Sequence, residues 1–347
     1  MLPVTIITGF LGSGKTTVLN HLVKQPGMQS TAVIINEFGE VGIDHLLVEA
    51  CTELMVELNN GCICCTIRGD LADKLGSLAM WLDVGRIPPV ERVIVETTGL
   101  ADPAPIMHTL MAEPDLLARY RLDRLVTVVD AIGGASSLDR FPEAAKQIAV
   151  ADLLIISKTD LIDVHSDRAA YAGLVARIRA LNPRAPMREV NHGAVDPGVL
   201  FGSPGDGADS VLANLALAGP AADECDIDGD GGSHAHDGPH RHAHALREAG
   251  IASFVIELQE PVDGERFNAF LHRLAADYGK EMLRMKGLFQ VEGVPDRPAV
   301  VHGVQHVFFP VTWLERWPEG ARTSKFVFIT QNLPREVIAN RFREQFS

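Results

Sequence analysis

Several features common in other protein classes are scarce or missing in this chain. It has no run of about 18 apolar residues, which excludes a long apolar membrane span. The first apolar stretch, residues 4–11, has no basic segment before it and leads straight into a Gly-rich loop, so a secretory leader does not fit. Basic charge is in the minority: 31 Lys and Arg face 45 Asp and Glu, for a formal net charge of −14. Duplex-binding proteins carry a basic footprint, so no nucleic-acid partner is expected. Five cysteines in 347 residues do not make a disulfide framework. Three of them crowd into residues 62–65, which in a chain without an export signal favours metal or redox chemistry in a reducing, cytoplasmic compartment. What remains, 46% hydrophobic and 22% charged residues, is globular composition and excludes full-length disorder or a fibrous repeat.

The first two-thirds of the chain alternates short apolar runs with amphipathic stretches. Residues 4–8, 32–36, 92–96, 125–130 and 153–157 are each five or six residues long, mostly apolar, and end in a polar residue. Such strands suit a parallel sheet covered on both faces. Helical periodicity at 16–23, 71–81, 104–111, 142–149 and 168–181 completes βαβ units. The expected fold is therefore α/β: a P-loop NTPase-type, mostly parallel sheet with helices on both faces, over residues 1–202. Residues 203–250 are rich in Gly, Pro, Ala, Asp and His and read as a mobile linker. Periodicity returns over 251–347, with strand patterns at 253–258, 288–291, 299–302, 306–311 and 325–330 and helices at 265–278 and 335–346. This predicts a smaller C-terminal α+β domain.

Residues 9–16, GFLGSGKT, match GxxxxGK[ST] in full, with a strand candidate before and a helix candidate after. Gly9, Gly12 and Gly14 belong to this loop, and Gly12 and Gly14 can take the positive φ that turns successive N–H groups inward. Those donors, with Ser13, Thr17 and the helix N-terminus, form an anion cradle. Lys15 would reach the β- and γ-phosphates and Thr16 would place its hydroxyl on Mg²⁺. VIVETTG at 93–99 supplies the second phosphate-side element: Glu96 at a strand's C-terminal end would support Mg²⁺, and the Gly99 N–H could approach the γ-phosphate.

Base choice is read from Ser157-Lys158-Thr159-Asp160. After what reads as the fifth strand, the Asp160 carboxylate would accept from guanine N1–H and N2–H₂ while the Lys158 stem lies along the base. Adenine has neither donor on that edge, and a buried carboxylate left unpaired would reject it. The expected nucleotide is GTP.

The remaining chemistry is metal chemistry. Cys62, Cys64 and Cys65, in GCICC, offer soft thiolates for Zn²⁺ or Co²⁺, and three sulfurs leave a tetrahedral ion one position short, which suits transfer. Glu37, in NEFGE after the second strand, is a candidate fourth ligand or a water-orienting group. His234, His236, His240, His242 and His244 form an auxiliary His-rich tract able to collect divalent ions at low selectivity, or simply a solvated linker. The C-terminal region offers no catalytic constellation. Its Arg284-Met-Lys286 segment is basic, and His302 and His306 lie on apolar strand candidates, where a satisfied core or surface histidine is expected rather than a ligand.

Taken in order, GFLGSGKT, NEFGE, GCICC, VIVETTG and SKTD resemble the CobW family of P-loop GTPases, in the metallochaperone branch with the hydrogenase and urease nickel-insertion GTPases. The resemblance runs the length of the chain. It implies slow GTP hydrolysis coupled to delivery of a transition metal, most simply zinc, to a client metalloprotein, and a nucleotide-dependent homodimer as in related GTPases. Alternatives within the family are cobalt handling for cobalamin synthesis and activation of another metalloenzyme. An alternative of another class is a metal-storage or sensing module with an idle nucleotide site. Ser157 stands where many GTPases have Asn, which removes one amide contact while leaving Asp160 in place.

Overall fold

A computed structural model describes residues 1–36, 55–58, 66–163, 167–201, 250–318 and 322–346. The first part builds one sheet. Its elements are β1 (Leu2–Thr8), α1 (Lys15–Val23), β2 (Thr31–Asn36), β3 (Met55–Leu58), α2 (Thr66–Asp83), β4 (Arg92–Glu96), α3 (Pro103–Ala112) and α4 (Pro114–Arg119). They continue with β5 (Tyr120–Asp130), α5 (Gly134–Arg140), α6 (Pro142–Ala149), β6 (Leu153–Ser157), α7 (Arg168–Leu181), β7 (Met187–Glu189) and α8 (Pro197–Leu200). The seven strands order as β3-β2-β4-β1-β5-β6-β7, and every pairing is parallel.

The local reasons are legible. The apolar runs Val4–Ile7, Val93–Val95 and Leu153–Ile156 are buried, as strands covered on both faces must be. One hydrophobic cluster, containing Ile6, Ile34, Leu75, Val93 and Ile156, fills one face. A second, containing Ile7, Leu19, Val33, Ile94 and Ile155, fills the other. Pro103 opens α3, and the Asp102 side chain accepts from the Ala104 N–H at 2.9 Å, a capped helix start.

The second part is antiparallel. It comprises β8 (Ile251–Leu258), α9 (Gly264–Tyr278), β9 (Met282–Val291), β10 (Val294–Val304), β11 (Val307–Phe308), β12 (Thr312–Trp313), β13 (Ser324–Gln331) and α10 (Arg335–Phe346). The strand order is β11-β10-β9-β13-β8, with β12 on β10. Phe267 and Phe270 of α9 and Phe342 of α10 pack with Phe289, Phe326 and Phe328 as one aromatic core. The opposite side turns to the first sheet: Ile251, Leu283, Val304 and Ile329 belong to the same cluster as Ile6 and Ile156.

Several sequence expectations need adjusting. Strands β3 and β7 and helices α4, α5 and α8 went unread, being short; the SKTD segment therefore follows the sixth strand in chain order, not the fifth. The 306–311 strand pattern shrinks to β11, since Pro310 cannot donate to a ladder, and pairing resumes beyond it at β12. β9 starts at Met282 rather than Leu288: Arg284 and Lys286 interrupt the apolar pattern, yet both are buried in the strand.

Candidate nucleotide site

Parallel strands place all their C-terminal ends at one edge of the sheet, where loops from β1, β4, β5 and β6 meet. The β1–α1 loop is shaped by its glycines. Gly9 has φ +144°, and a Cβ there would lie 2.2 Å from the Val128 carbonyl oxygen. Gly14, at φ 90°, is the left-handed residue that starts α1. Lys15 Nζ donates to the carbonyls of Gly9 at 2.9 Å and Phe10 at 3.2 Å, so the ammonium is held over its own loop.

The buried Glu96 closes the other wall. Its Oε1 accepts from the Thr16 hydroxyl at 2.7 Å. The strand beyond it stays locked to β1: the Thr97 N–H donates to the Ile7 carbonyl at 2.9 Å and the Thr97 hydroxyl to Thr8 Oγ1 at 2.9 Å. Gly99 then passes so close to the loop that a Cβ would come within 2.6 Å of the Leu11 nitrogen. The structure brings Gly12, Gly14, Lys15, Thr16, Thr17, Glu96, Gly99 and Lys158 together around an open cavity of about 380 Å³. A volume of that order suits a small-molecule ligand. Ser13 is buried behind it, and Ser13 N–H donates to the Phe10 carbonyl.

The β6 end forms the far side. The buried Ser157 Oγ donates to the Ser13 carbonyl at 2.6 Å, tying the base-side strand to the phosphate loop. Lys158 takes φ 60°, and its Nζ donates to Asp130 Oδ2 at 2.6 Å. Asp160 Oδ2 lies 3.6 Å from His192 Nδ1, and the Thr159 hydroxyl meets Asn191 Oδ1.

Three contributors escaped the sequence reading. Asp130 ends β5 and fixes Lys158; the polar end of an apolar strand was its available signal. Gln147 is fully buried on α6 and donates to the carbonyls of Ala101 at 2.9 Å and Gly99 at 3.3 Å, bracing the segment after Glu96. A glutamine among the buried residues of an amphipathic helix was the clue. The Asn191-His192-Gly193 turn gave no signal; Gly193 abuts the Thr17 carbonyl.

Glu37, Cys62, Cys64 and Cys65 lie outside the described residues, as do His234, His236, His240, His242 and His244. Their flanks are described. β2 ends at Asn36, one residue before Glu37, and pairs with both β4 and β3. β3 ends at Leu58 and α2 begins at Thr66, immediately after Cys65. Among the described residues no three His, Cys, Asp or Glu side chains are grouped to hold a metal ion. Nor is any helix there long and apolar enough to cross a membrane.

Comparison with known proteins agrees with this geometry. Residues 3–189 match the family model for the CobW/HypB/UreG nucleotide-binding domain, and residues 251–345 match that for the cobalamin synthesis protein cobW C-terminal domain. The chain is 33% identical over 339 residues to the zinc chaperone YjiA of Escherichia coli, covering 98% of this chain and 97% of that protein. It is 32% identical to the zinc chaperone CobW of a Sinorhizobium species, covering 85% of this chain and 83% of that one. A crystal structure of Zn(II)-bound YjiA GTPase from Escherichia coli superposes with a TM-score of 0.65 at 28% identity, over 100% of this chain and 99% of that one.

Proposed function

We propose, from the premise that this chain belongs to the CobW/HypB/UreG family of P-loop GTPases, that it hydrolyses GTP to drive delivery of zinc to a client metalloprotein. The zinc assignment comes from the relatives' names; the rest is argued from the site. Lys15 and the N–H groups of residues 12–17 hold the phosphates, and Asp160 reads guanine, with Ser157 and Lys158 forming the base-side wall. Thr16 and Glu96 present hard oxygen donors 2.7 Å apart, which fits Mg²⁺. Bound there, Mg²⁺ would neutralise charge on the phosphates. Gly99, braced by Gln147 and packed against Leu11 of the loop, would offer its N–H to the third phosphate.

The cargo sits on Cys62, Cys64 and Cys65, with Glu37 as the fourth ligand in the triphosphate state and the histidines of 234–244 as a collecting tract. Zinc here is substrate, not a resident cofactor. One observation supports coupling above the others: Asn36 and Leu58 are register partners at the edge of the sheet where Ile35 pairs with Glu96. The strands that precede Glu37 and the three thiolates in sequence thus both end at the nucleotide edge. Loops that order on the γ-phosphate and relax on its loss are a known way to convert hydrolysis into a change at a neighbouring site. The reading includes a cytoplasmic location, a nucleotide-dependent homodimer, and the division into residues 1–202, 203–250 and 251–347.

Linkage makes the test direct, because zinc and nucleotide must then change each other's affinity by the same factor. Zinc affinity is measured by competition with a chromogenic chelator for the nucleotide-free, GDP-bound and non-hydrolysable GTP analogue-bound protein, with the triple Cys62/Cys64/Cys65→Ala variant and cobalt as further arms. The expected result is a nucleotide-dependent zinc affinity that the triple variant abolishes. Identical zinc affinity in the three states would refute the coupling.

A further inference from the structure

The face where the two sheets meet carries a second feature that the nucleotide chemistry does not use. A small cavity of about 30 Å³ opens between them, with Asp152 and Arg184 on the side of the first sheet and Ser253, Arg284 and Lys286 on the side of the second. Its charge is unbalanced, with three cationic side chains facing one carboxylate. That carboxylate is already committed: Asp152 accepts from Arg284 Nη2 at 2.7 and 2.8 Å, from Lys286 Nζ, and from the Leu125 N–H at 2.9 Å. Arg284 has further partners in the Val150 carbonyl and His302.

Arg184 is different. Its Nε and Nη1 are buried, and neither has a hydrogen-bond partner. Burial pulls this guanidinium below its usual value. Burial, followed by the charge of Arg284, also pushes Lys286 down to about 8, despite the contact with Asp152. Nearby Arg124 adds to the positive side, and the half-buried Asp123 is engaged by Arg121. Buried donors of a charged group without acceptors call for an explanation, and excess buried positive charge calls for an anion.

We propose that this cavity is a binding site for a tetrahedral inorganic oxyanion, phosphate or sulfate, which accepts hydrogen bonds from Arg184 and is neutralised by Arg284 and Lys286. Guanidinium and ammonium donors together suit such an anion, with Arg giving directional hydrogen bonds and Lys a point charge. A cation is repelled by the same lining. Apolar lining residues, including Ala151, Val327 and Ile329, lower the local polarity and so strengthen each charge-assisted contact. Since the donors come from both sheets, the bound anion also fastens one to the other.

The test separates this site from the phosphate loop. Full-length protein saturated with Mg²⁺ and a non-hydrolysable GTP analogue is titrated with phosphate and with sulfate by calorimetry, against chloride at matched ionic strength. The same titration on Lys15→Ala serves as a second arm that does not depend on the nucleotide reading. Both arms should show one saturable oxyanion site, absent with chloride. Arg184→Gln, at a residue that hydrogen-bonds nothing through Nε and Nη1, should weaken it at least tenfold without changing the circular dichroism spectrum, and Arg184→Lys should recover part of the loss. No saturable binding in either arm, equal binding of chloride, or an Arg184→Gln variant that binds as well as the parent would overturn the proposal.

Discussion

Removing a single hydroxyl tests how the phosphate loop is held in shape. Ser157 sits at the end of β6 with its side chain buried, and its Oγ donates to the Ser13 carbonyl at 2.6 Å, with the Val129 carbonyl at 3.3 Å as a weaker second acceptor. In Ser157→Ala the Ser13 carbonyl loses that donor in a place water reaches poorly. Leaving a buried acceptor unpaired costs about 1–3 kcal/mol. The carbonyl belongs to the loop whose N–H groups must point inward, so the cost falls on the cradle geometry. Translated to binding, that range is roughly a 5- to 150-fold weakening. The loss should be the same for GDP and for a GTP analogue, because Ser13 lies on the part of the loop that both nucleotides share. The preference for GTP over ATP should survive, since Asp160 is untouched. Calorimetric titration of Mg²⁺–GDP and the analogue, beside urea unfolding of the free protein, reads both quantities. If nucleotide affinity stays within twofold of the parent, the hydrogen bond does not shape the loop and the reasoning fails.

Other outcomes follow from neighbouring contacts. Asp160→Ala should weaken GTP more than tenfold and leave ATP unchanged; a parent protein that binds both equally would sink the guanine assignment. Gln147→Leu removes the donors to the Gly99 and Ala101 carbonyls and should lower kcat for GTP hydrolysis more than it raises KM; an unaltered kcat would show that this brace is dispensable. Asp152→Asn leaves Arg284 and Lys286 without their counter-charge, and breaking a buried pair in this way costs about 3–5 kcal/mol, read as a lower urea midpoint. The pH dependence has a definite sign at His302, which burial, then Arg284 and Lys286, hold well below its ordinary value. The unfolded chain takes up that proton near pH 6.5 while the folded one does not, so stability falls as pH drops below about 6.5. His302→Gln should flatten that slope, and an unchanged slope in a urea-midpoint series would contradict the assignment.

How much of this could be read from the chain depends on the kind of signal. Buried parallel strands announce themselves by continuous apolar runs, so β4, β6, α6, α7 and α10 have the bounds their periodicity gives. The phosphate loop was readable because its geometry demands particular residues at fixed spacing, as the position of Gly9 against the Val128 carbonyl shows. Edge strands such as β7, only three residues long, are too short for a period. Asp130 and Gln147 act by holding other residues, and no spacing rule marks a residue whose partner is distant in sequence. The start of β9 was missed for the same reason: Arg284 and Lys286 are compatible with a buried strand only because Asp152, just before β6, supplies their partner.

That ion pair changes how the two sheets should be regarded. Asp152 immediately precedes β6, and Ser157 ends it, with every residue from Leu153 to Ser157 buried. One end of this strand is fastened to the second sheet through Arg284 and Lys286, the other to the phosphate loop through Ser13. Helix α3, which follows the Glu96–Gly99 segment, packs against β10 and β11 as well. Both walls of the nucleotide cavity therefore rest on elements that touch the second sheet, and Leu283, Val304 and Ile329 close the same hydrophobic cluster as Ile6 and Ile156. Without residues 251–346 the first sheet would expose that apolar surface and keep Asp152 without its counter-charges. In packed proteins, strain passes through such rigid elements instead of dissipating in them. A shift of the second sheet should accordingly be felt at Ser13 and Gly99, and the second sheet is better described as a structural wall of the nucleotide site than as an appended module.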